Sequence, residues 1–276
     1  MVLKQKQITS PPPRSCVGFF NITKGGSGVE LNKIYNEDCL EGMKRIPDGS
    51  VDMILCDLPY GTTRNKWDAV IPLEPLWEQY ERVIKDNGAI LLTAQTPFDK
   101  VLGVSNLKNL RYEWIWDKRL PTGHLNAKRM PLKRHENILV FYKKLPTYNP
   151  QFTNGEPYDK GFSLRTSENW GKQVAVSGKN SSGKRYPTSL IVKSNANQKE
   201  KMHPTQKPVS LFEYLIKTYT NEGETVLDNC MGSGTTAIAS MRTGRNYIGF
   251  ELDEEYYKVA QKRIIDENAY LESQSR

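Results

Sequence analysis

Cysteine and histidine are scarce in this 276-residue chain, with four and three copies, and the cysteines (Cys16, Cys39, Cys56 and Cys230) form no C-x-x-C pair. That scarcity argues against a zinc centre of paired thiolates and against a disulfide framework, so no metal is expected. Long apolar runs are also missing: no stretch approaches the ~20 residues that span a bilayer, and the first residues lack the apolar core of a signal segment. The expectation is a soluble, cytoplasmic protein with no membrane partner. Acidic residues are short in one region. Between Lys118 and Lys207, 18 Lys and Arg face 5 Asp and Glu, a net of +13, whereas the remainder holds 21 against 26, a net of −5, giving +8 overall. A merely solvated surface carries both signs, so this one-sided segment predicts a face for a polyanion.

What is present suffices for a core: 37% of residues are hydrophobic and 10% aromatic, in a length that suits one α/β domain with an insertion. Residues 1–30, with Pro11-Pro12-Pro13 and Gly25-Gly26-Ser27-Gly28, read as a loosely ordered leader. Strands are predicted at 31–35, 51–56, 89–94, 112–116, 137–142, 225–228 and 247–251. Helices are predicted at 39–46, at 73–85 with a stop at Asn87-Gly88, from Pro97, and at 209–219, 235–242 and 254–268. Between 145 and 202 apolar periodicity dissolves. Strands alternating with helices on both sides of an irregular insertion imply a doubly wound, mainly parallel α/β sheet. Residues 31–144 and 203–276 would then form one domain around the 145–202 insertion.

The segment Thr225–Ala237 reads as a strand, a glycine turn (Gly232-Ser233-Gly234-Thr235) and a helix start. Such a turn lets backbone approach a ligand, and the helix start offers free N–H groups. Glu251 ends the next strand, where a carboxylate accepts ribose hydroxyl protons. Gly232-Ser233-Gly234-Thr235-Thr236-Ala237 also fits the dinucleotide pattern G-x-G-x-x-G/A, which keeps an NAD(P)-dependent oxidoreductase as an alternative. Asp228, just before the turn, argues the other way: it would repel a pyrophosphate and attract an ammonium group.

Asp57-Leu58-Pro59-Tyr60 follows a buried strand, which places it at the carboxyl edge of the sheet. Acceptors there, the Asp57 carboxylate and the Leu58 carbonyl, suit an exocyclic amine that must become pyramidal before it attacks a methyl group. Tyr60 is suited to stack on a base flipped from a duplex. The pairing of D-L-P-Y with D-x-x-x-G-S-G-T resembles the DNA amino-methyltransferases, whose loop is usually [D/N/S]-P-P-[Y/F/W]. With the catalytic half first, the order resembles the beta group. The resemblance, over residues 31–142 and 203–268, implies a permuted, seven-stranded Rossmann-like sheet, S-adenosyl-L-methionine as cofactor, double-stranded DNA as partner, a bacterial or phage origin, and a monomer or homodimer. It also implicates Asp38, in Asn36-Glu37-Asp38-Cys39, at the cofactor's adenine, and Lys207, in His203-Pro204-Thr205-Gln206-Lys207-Pro208, at its methionine end. Asp57, Asp228, Cys230, Gly232, Gly234, Thr235 and Glu251 complete that cofactor set. The chain departs from the family at Leu58, which replaces a proline, and at Asn229-Cys230, which replaces Pro-Phe.

No Pro-Cys dipeptide occurs, so covalent cytosine carbon-5 chemistry has no candidate nucleophile. An aspartate-headed loop resembles adenine-N6 enzymes more than cytosine-N4 enzymes, and the latter stay as the alternative. A DNA-binding relative without activity, and RNA or protein-glutamine methylation, are further readings. Lys118-Arg119, Lys128-Arg129, Lys133-Arg134 and Lys143-Lys144 are candidate phosphate contacts. Residues 145–202 occupy the target-recognition position, with Arg165 and Arg185 as candidate base readers. Its Tyr148, Phe152, Tyr158, Trp170 and Tyr186 are candidates for stacking or for core packing.

Overall fold

The computed structural model describes residues 28–61, 68–163, 166–167, 169, 171–172, 176–195 and 206–274. The leader expected at 1–30 lies outside these except for its last three residues, and of these Val29 is buried in the core. Main-sheet strands are β1 (Lys33–Tyr35), β2 (Val51–Cys56), β3 (Ile84–Ala94), β4 (Leu110–Thr122) and β5 (Lys133–Phe141). The insertion holds β6 (Thr153–Asn154), β7 (Tyr158–Ser163), β8 (Thr166–Ser167), β9 (Gly171–Lys172), β10 (Val176–Asn180), β11 (Lys184–Arg185) and β12 (Leu190–Val192); β13 (Thr225–Asp228) and β14 (Asn246–Phe250) follow. Helices are α1 (Cys39–Met43), α2 (Leu73–Val83), α3 (Phe98–Ser105), α4 (Val209–Tyr219), α5 (Thr235–Arg242) and α6 (Glu254–Gln274).

An eight-stranded sheet runs in the order β1-β14-β13-β2-β3-β5-β4-β12, and only β5 runs against the others. Strand β2 shows why helices cover both faces. Its Val51, Ile54 and Cys56 enter one apolar cluster with Leu76, Tyr80 and Phe98 of α2 and α3, while Met53 and Leu55 enter another with Leu211 and Leu215 of α4. A strand buried on both faces is a nearly continuous apolar run. The fold is thus the expected doubly wound, mainly parallel α/β sheet.

Several elements differ from expectation. Helix α2 stops at Val83, and 84–88 belong to β3 instead of a turn. Ile84 pairs with Val51 across a bulge, and Gly88 lets the chain close on β2, since a Cβ there would lie 2.8 Å from the Asp52 carbonyl. Strands β4 and β5 extend past the sheet as a hairpin, because they pair with each other as far as Thr122 and Lys133. The insertion is not structureless: β12 adds an eighth strand beside β4, and β7–β10, β6–β11 and β8–β9 form three small antiparallel ribbons. Among the described residues no helix is long and apolar enough to cross a membrane, and no cluster of His, Cys, Asp or Glu is arranged to hold a metal ion.

Candidate active site

Strands β1, β14, β13 and β2 are adjacent and parallel, so the loops after them bring Asp38, Glu251, Asp228 and Asp57 into one row at the carboxyl edge. Open α/β sheets bind their ligands there. Asp38 caps α1, its Oδ1 accepting the Leu40 and Glu41 N–H groups at 2.8 and 3.2 Å. Asn36 ties this loop to the next by donating to the Glu251 and Leu252 carbonyls at 2.8 and 3.1 Å. Glu251 accepts the Gly232 N–H at 2.7 Å and the Asp253 N–H at 2.8 Å, bonds that partly offset the upward push of burial on its pKa. Gly232 and Gly234 have φ of +53° and +84°, and a Cβ on Gly234 would stand 3.2 Å from that of Ala260 on α6. The turn therefore needs glycine for both conformation and space.

Asp228 is buried at the bottom of this turn. Its carboxylate accepts the Cys230 N–H at 3.0 Å and the Thr236 hydroxyl, and burial pushes its pKa up to about 6. It braces the turn from beneath. The Cys230 thiol faces those of Cys39 and Cys56. Thr235 lies at the start of α5, its hydroxyl 3.5 Å from the Lys207 carbonyl, and Ser233 donates to Gln206 at 3.3 Å. The segment 206–208 is thereby docked on the glycine turn; His203, Pro204 and Thr205 lie outside the described residues.

Lys207 joins that turn to the Asp57–Tyr60 loop. Its ammonium, 2.6 Å from Asp57 Oδ2 and 3.3 Å from Glu136 Oε2, lies over the Tyr60 ring at 5.6 Å. Burial alone would lower its pKa, but the charges of Asp57 and Glu136 outweigh that and raise it. Asp57 Oδ1 accepts the Tyr60 hydroxyl at 2.8 Å and the hydroxyl of Thr93 on β3. The Tyr60 ring stacks on Phe98 at 5.4 Å, and burial next to Asp57 raises its phenol pKa. Leu58, which stands where the family's loop usually has proline, is buried in the apolar core. Sequence reasoning missed Thr93 and Glu136. Their signals were slight: a hydroxyl inside the apolar run 89–94, and an acid directly before the buried run 137–141.

Lys118 overturns its expected role as a phosphate contact. It is only 3% exposed and pairs with Glu136 Oε1 at 3.1 Å, because β4 and β5 place the two side by side at the base of the hairpin. Arg119, Lys128, Arg129, Lys133 and Arg134 are exposed along that hairpin, with Arg134 bound bidentately to Asp117 at 2.9 Å on both oxygens. Lys143 and Lys144 lie at the far end of β5 and bond to the Glu81 carbonyl and to Asp86, away from this edge. Arg185 is tied into its own ribbon through the Gly183 and Glu156 carbonyls and covers the Tyr158 ring at 4.7 Å, so it is not a free base reader in this conformation. Tyr148 packs on Tyr219, and Phe152 on Tyr186. Arg165 and Trp170 lie outside the described residues.

Asp228, expected to face an ammonium group, is only 2% exposed and spends its carboxylate on the turn itself, whereas Glu251 at the glycine turn and exposed Asp38 on the neighbouring loop make this edge acidic. That suits a ligand with ribose hydroxyls and a cationic amino-acid end, and opposes a dinucleotide pyrophosphate. A family model described as "DNA methylase" matches residues 51–262. A type II methyltransferase of Moraxella bovis, M1.MboII, is 30% identical, with 84% of this chain and 96% of that protein aligned. Among solved structures, a complex of M1.HpyAVI with SAM (S-adenosyl-L-methionine) shares 24% identity at a TM-score of 0.56, covering 84% of this chain and 98% of that one. The cytosine-N4-specific PvuII DNA methyltransferase reaches 0.62 at 16% identity, covering 87% and 92%.

Proposed function

The chain belongs to the N6-adenine and N4-cytosine DNA methyltransferase family, and from that premise we propose that it methylates the N6 amino group of adenine in double-stranded DNA. Its cofactor is S-adenosyl-L-methionine, and the acidic edge at the glycine turn fits it. When bound, the cofactor supplies a methyl group made electrophilic by its sulfonium. The observation that carries the adenine reading is the carboxylate of Asp57 at the head of the loop, held beside the turn by Lys207.

Each residue then has a physical task. Glu251 turns its carboxylate to the ribose hydroxyls and Asp38 to the adenine end, while Asp228 and Cys230 keep the turn in shape. The target base leaves the duplex and its amine meets Asp57 Oδ1 and the Leu58 carbonyl. Oδ1 is held by the Tyr60 and Thr93 hydroxyls, so the amine takes the place of the Tyr60 hydroxyl as that ring turns onto the base. Two acceptors on the amine protons free the nitrogen lone pair for in-line attack on the methyl carbon. The sulfonium–methyl bond would break to leave a neutral thioether, Asp57 would receive the proton that the nitrogen sheds, and positioning supplies most of the rate. Lys207 keeps Asp57 from turning away. Residues 31–144 and 203–276 form the catalytic unit, and 145–202 read the target sequence.

Expression in a host without endogenous adenine methylation, followed by single-molecule sequencing of its genome, tests this reading. N6-methyladenine at one recurring sequence is expected. N4-methylcytosine at such a sequence would assign the alternative base, and an unmodified genome would point to an inactive relative.

A further inference from the structure

We propose that the tip of the β4–β5 hairpin is a wedge that enters the DNA duplex, with Leu125 filling the gap left by the flipped base; the inference rests on the methyltransferase reading above. Strand β4 runs parallel to β2, so its end and the start of β5 leave the sheet at the same edge as Asp57. Beyond the last pair, Thr122 and Lys133, the chain turns through Gly123 at φ +87° and a single 3₁₀ turn, His124–Asn126. At a strand rise of ~3.3 Å per residue, the tip stands on the order of 10 Å past Glu136.

The tip has an unusual surface. Leu125 is 101% exposed, and Leu120 and Met130 are 57% and 51% exposed. One exposed leucine needs no explanation, but three large apolar side chains within residues 120–130, at the end of one hairpin, signal a contact surface. Around them stand Arg119, Lys128, Arg129 and Lys133, and no ion pair engages these four among the described residues. An apolar apex inside a cationic collar matches a duplex, whose base stack admits an apolar wedge while the flanking phosphates take the cations. A protein partner would not need the collar. The hairpin base is braced by Arg134 on Asp117 and by Lys118 on Glu136, and the latter reaches Lys207 and Asp57. The wedge is therefore fixed relative to the carboxylate that receives the base.

Because Leu125 is fully exposed, Leu125→Ala leaves the fold intact and separates binding from flipping. The substrate is a duplex carrying the sequence methylated in the expressing host, prepared fully paired and with an abasic site opposite the target adenine. Leu125→Ala should lower kcat on the paired duplex about tenfold or more, since it loses help with unstacking. The abasic duplex, whose target is already unpaired, should restore the variant to within about threefold of the native chain, with unspecific duplex affinity unchanged. Equal losses on both duplexes, or no loss on either, would overturn the wedge. So would a dimer of the native chain that Leu125→Ala dissociates without affecting transfer. A native chain that methylates neither duplex would instead overturn the function on which the wedge depends.

Discussion

Asp57 is the residue on which the proposed chemistry turns, and a buried chain of alternating charges fixes it. Lys118, Glu136, Lys207 and Asp57 follow one another at 3.1, 3.3 and 2.6 Å. Removing one member of a buried ion network leaves its partners uncompensated, so Glu136→Gln should cost about 3 kcal/mol of stability in urea unfolding. Adding Lys118→Met should recover part of that loss, and additive losses would show that the charges do not interact. Asp228 behaves differently, because burial raises its pKa to about 6 from 3.8. A carboxyl that protonates more readily when folded adds stability at low pH, and that contribution is lost as pH rises through about 6. The loss amounts to at most about 3 kcal/mol. Asp228→Asn escapes it, so its Tm relative to the native chain should be more favourable at pH 7.5 than at pH 4.5; a pH-independent difference would contradict this. Asp57, Asp228 and Glu251 were legible in the sequence because each follows an apolar strand in a recognisable pattern. Thr93 and Glu136 were not, since Thr93 meets Asp57 only once β3 pairs parallel with β2, and Glu136 meets Lys207 only once β5 joins the sheet beside β3, tertiary events that leave no local spacing.

Among the elements, the glycine turn before α5 packs against the core and is the proposed cofactor contact. Gly234→Ala places a side chain at φ +84° and against Ala260, so it should cost about 1–2 kcal/mol and weaken S-adenosyl-L-methionine binding in calorimetry. Unchanged affinity would show that the turn does not shape the site. Strands such as β2 and β13 could be read from their apolar runs alone. The start of β3 could not, because Ile84 continues the helical pattern of α2 until pairing with Val51 draws it into the sheet. Nor could β12, in which only Ile191 is buried and whose identity comes from its neighbour β4.

For the molecule as a whole, charge separates along the chain as the proposed function would require: the acidic remainder holds the glycine turn, and the +13 segment contains the hairpin tip and the ribbons. DNA affinity should therefore fall steeply with salt. Replacing Arg119, Lys128, Arg129 and Lys133 by Gln should reduce the slope of log K against log salt concentration by about 3 to 4, at roughly 0.9 per phosphate contact. An unchanged slope would place the DNA elsewhere. The most direct test is transfer of a tritiated methyl group from S-adenosyl-L-methionine into DNA, followed by digestion to nucleosides, for the native chain and for Asp57→Ala. The native chain should place the label in N6-methyladenine, and Asp57→Ala should bind the cofactor yet transfer nothing. Label in N4-methylcytosine, or undiminished transfer by the variant, would contradict the account.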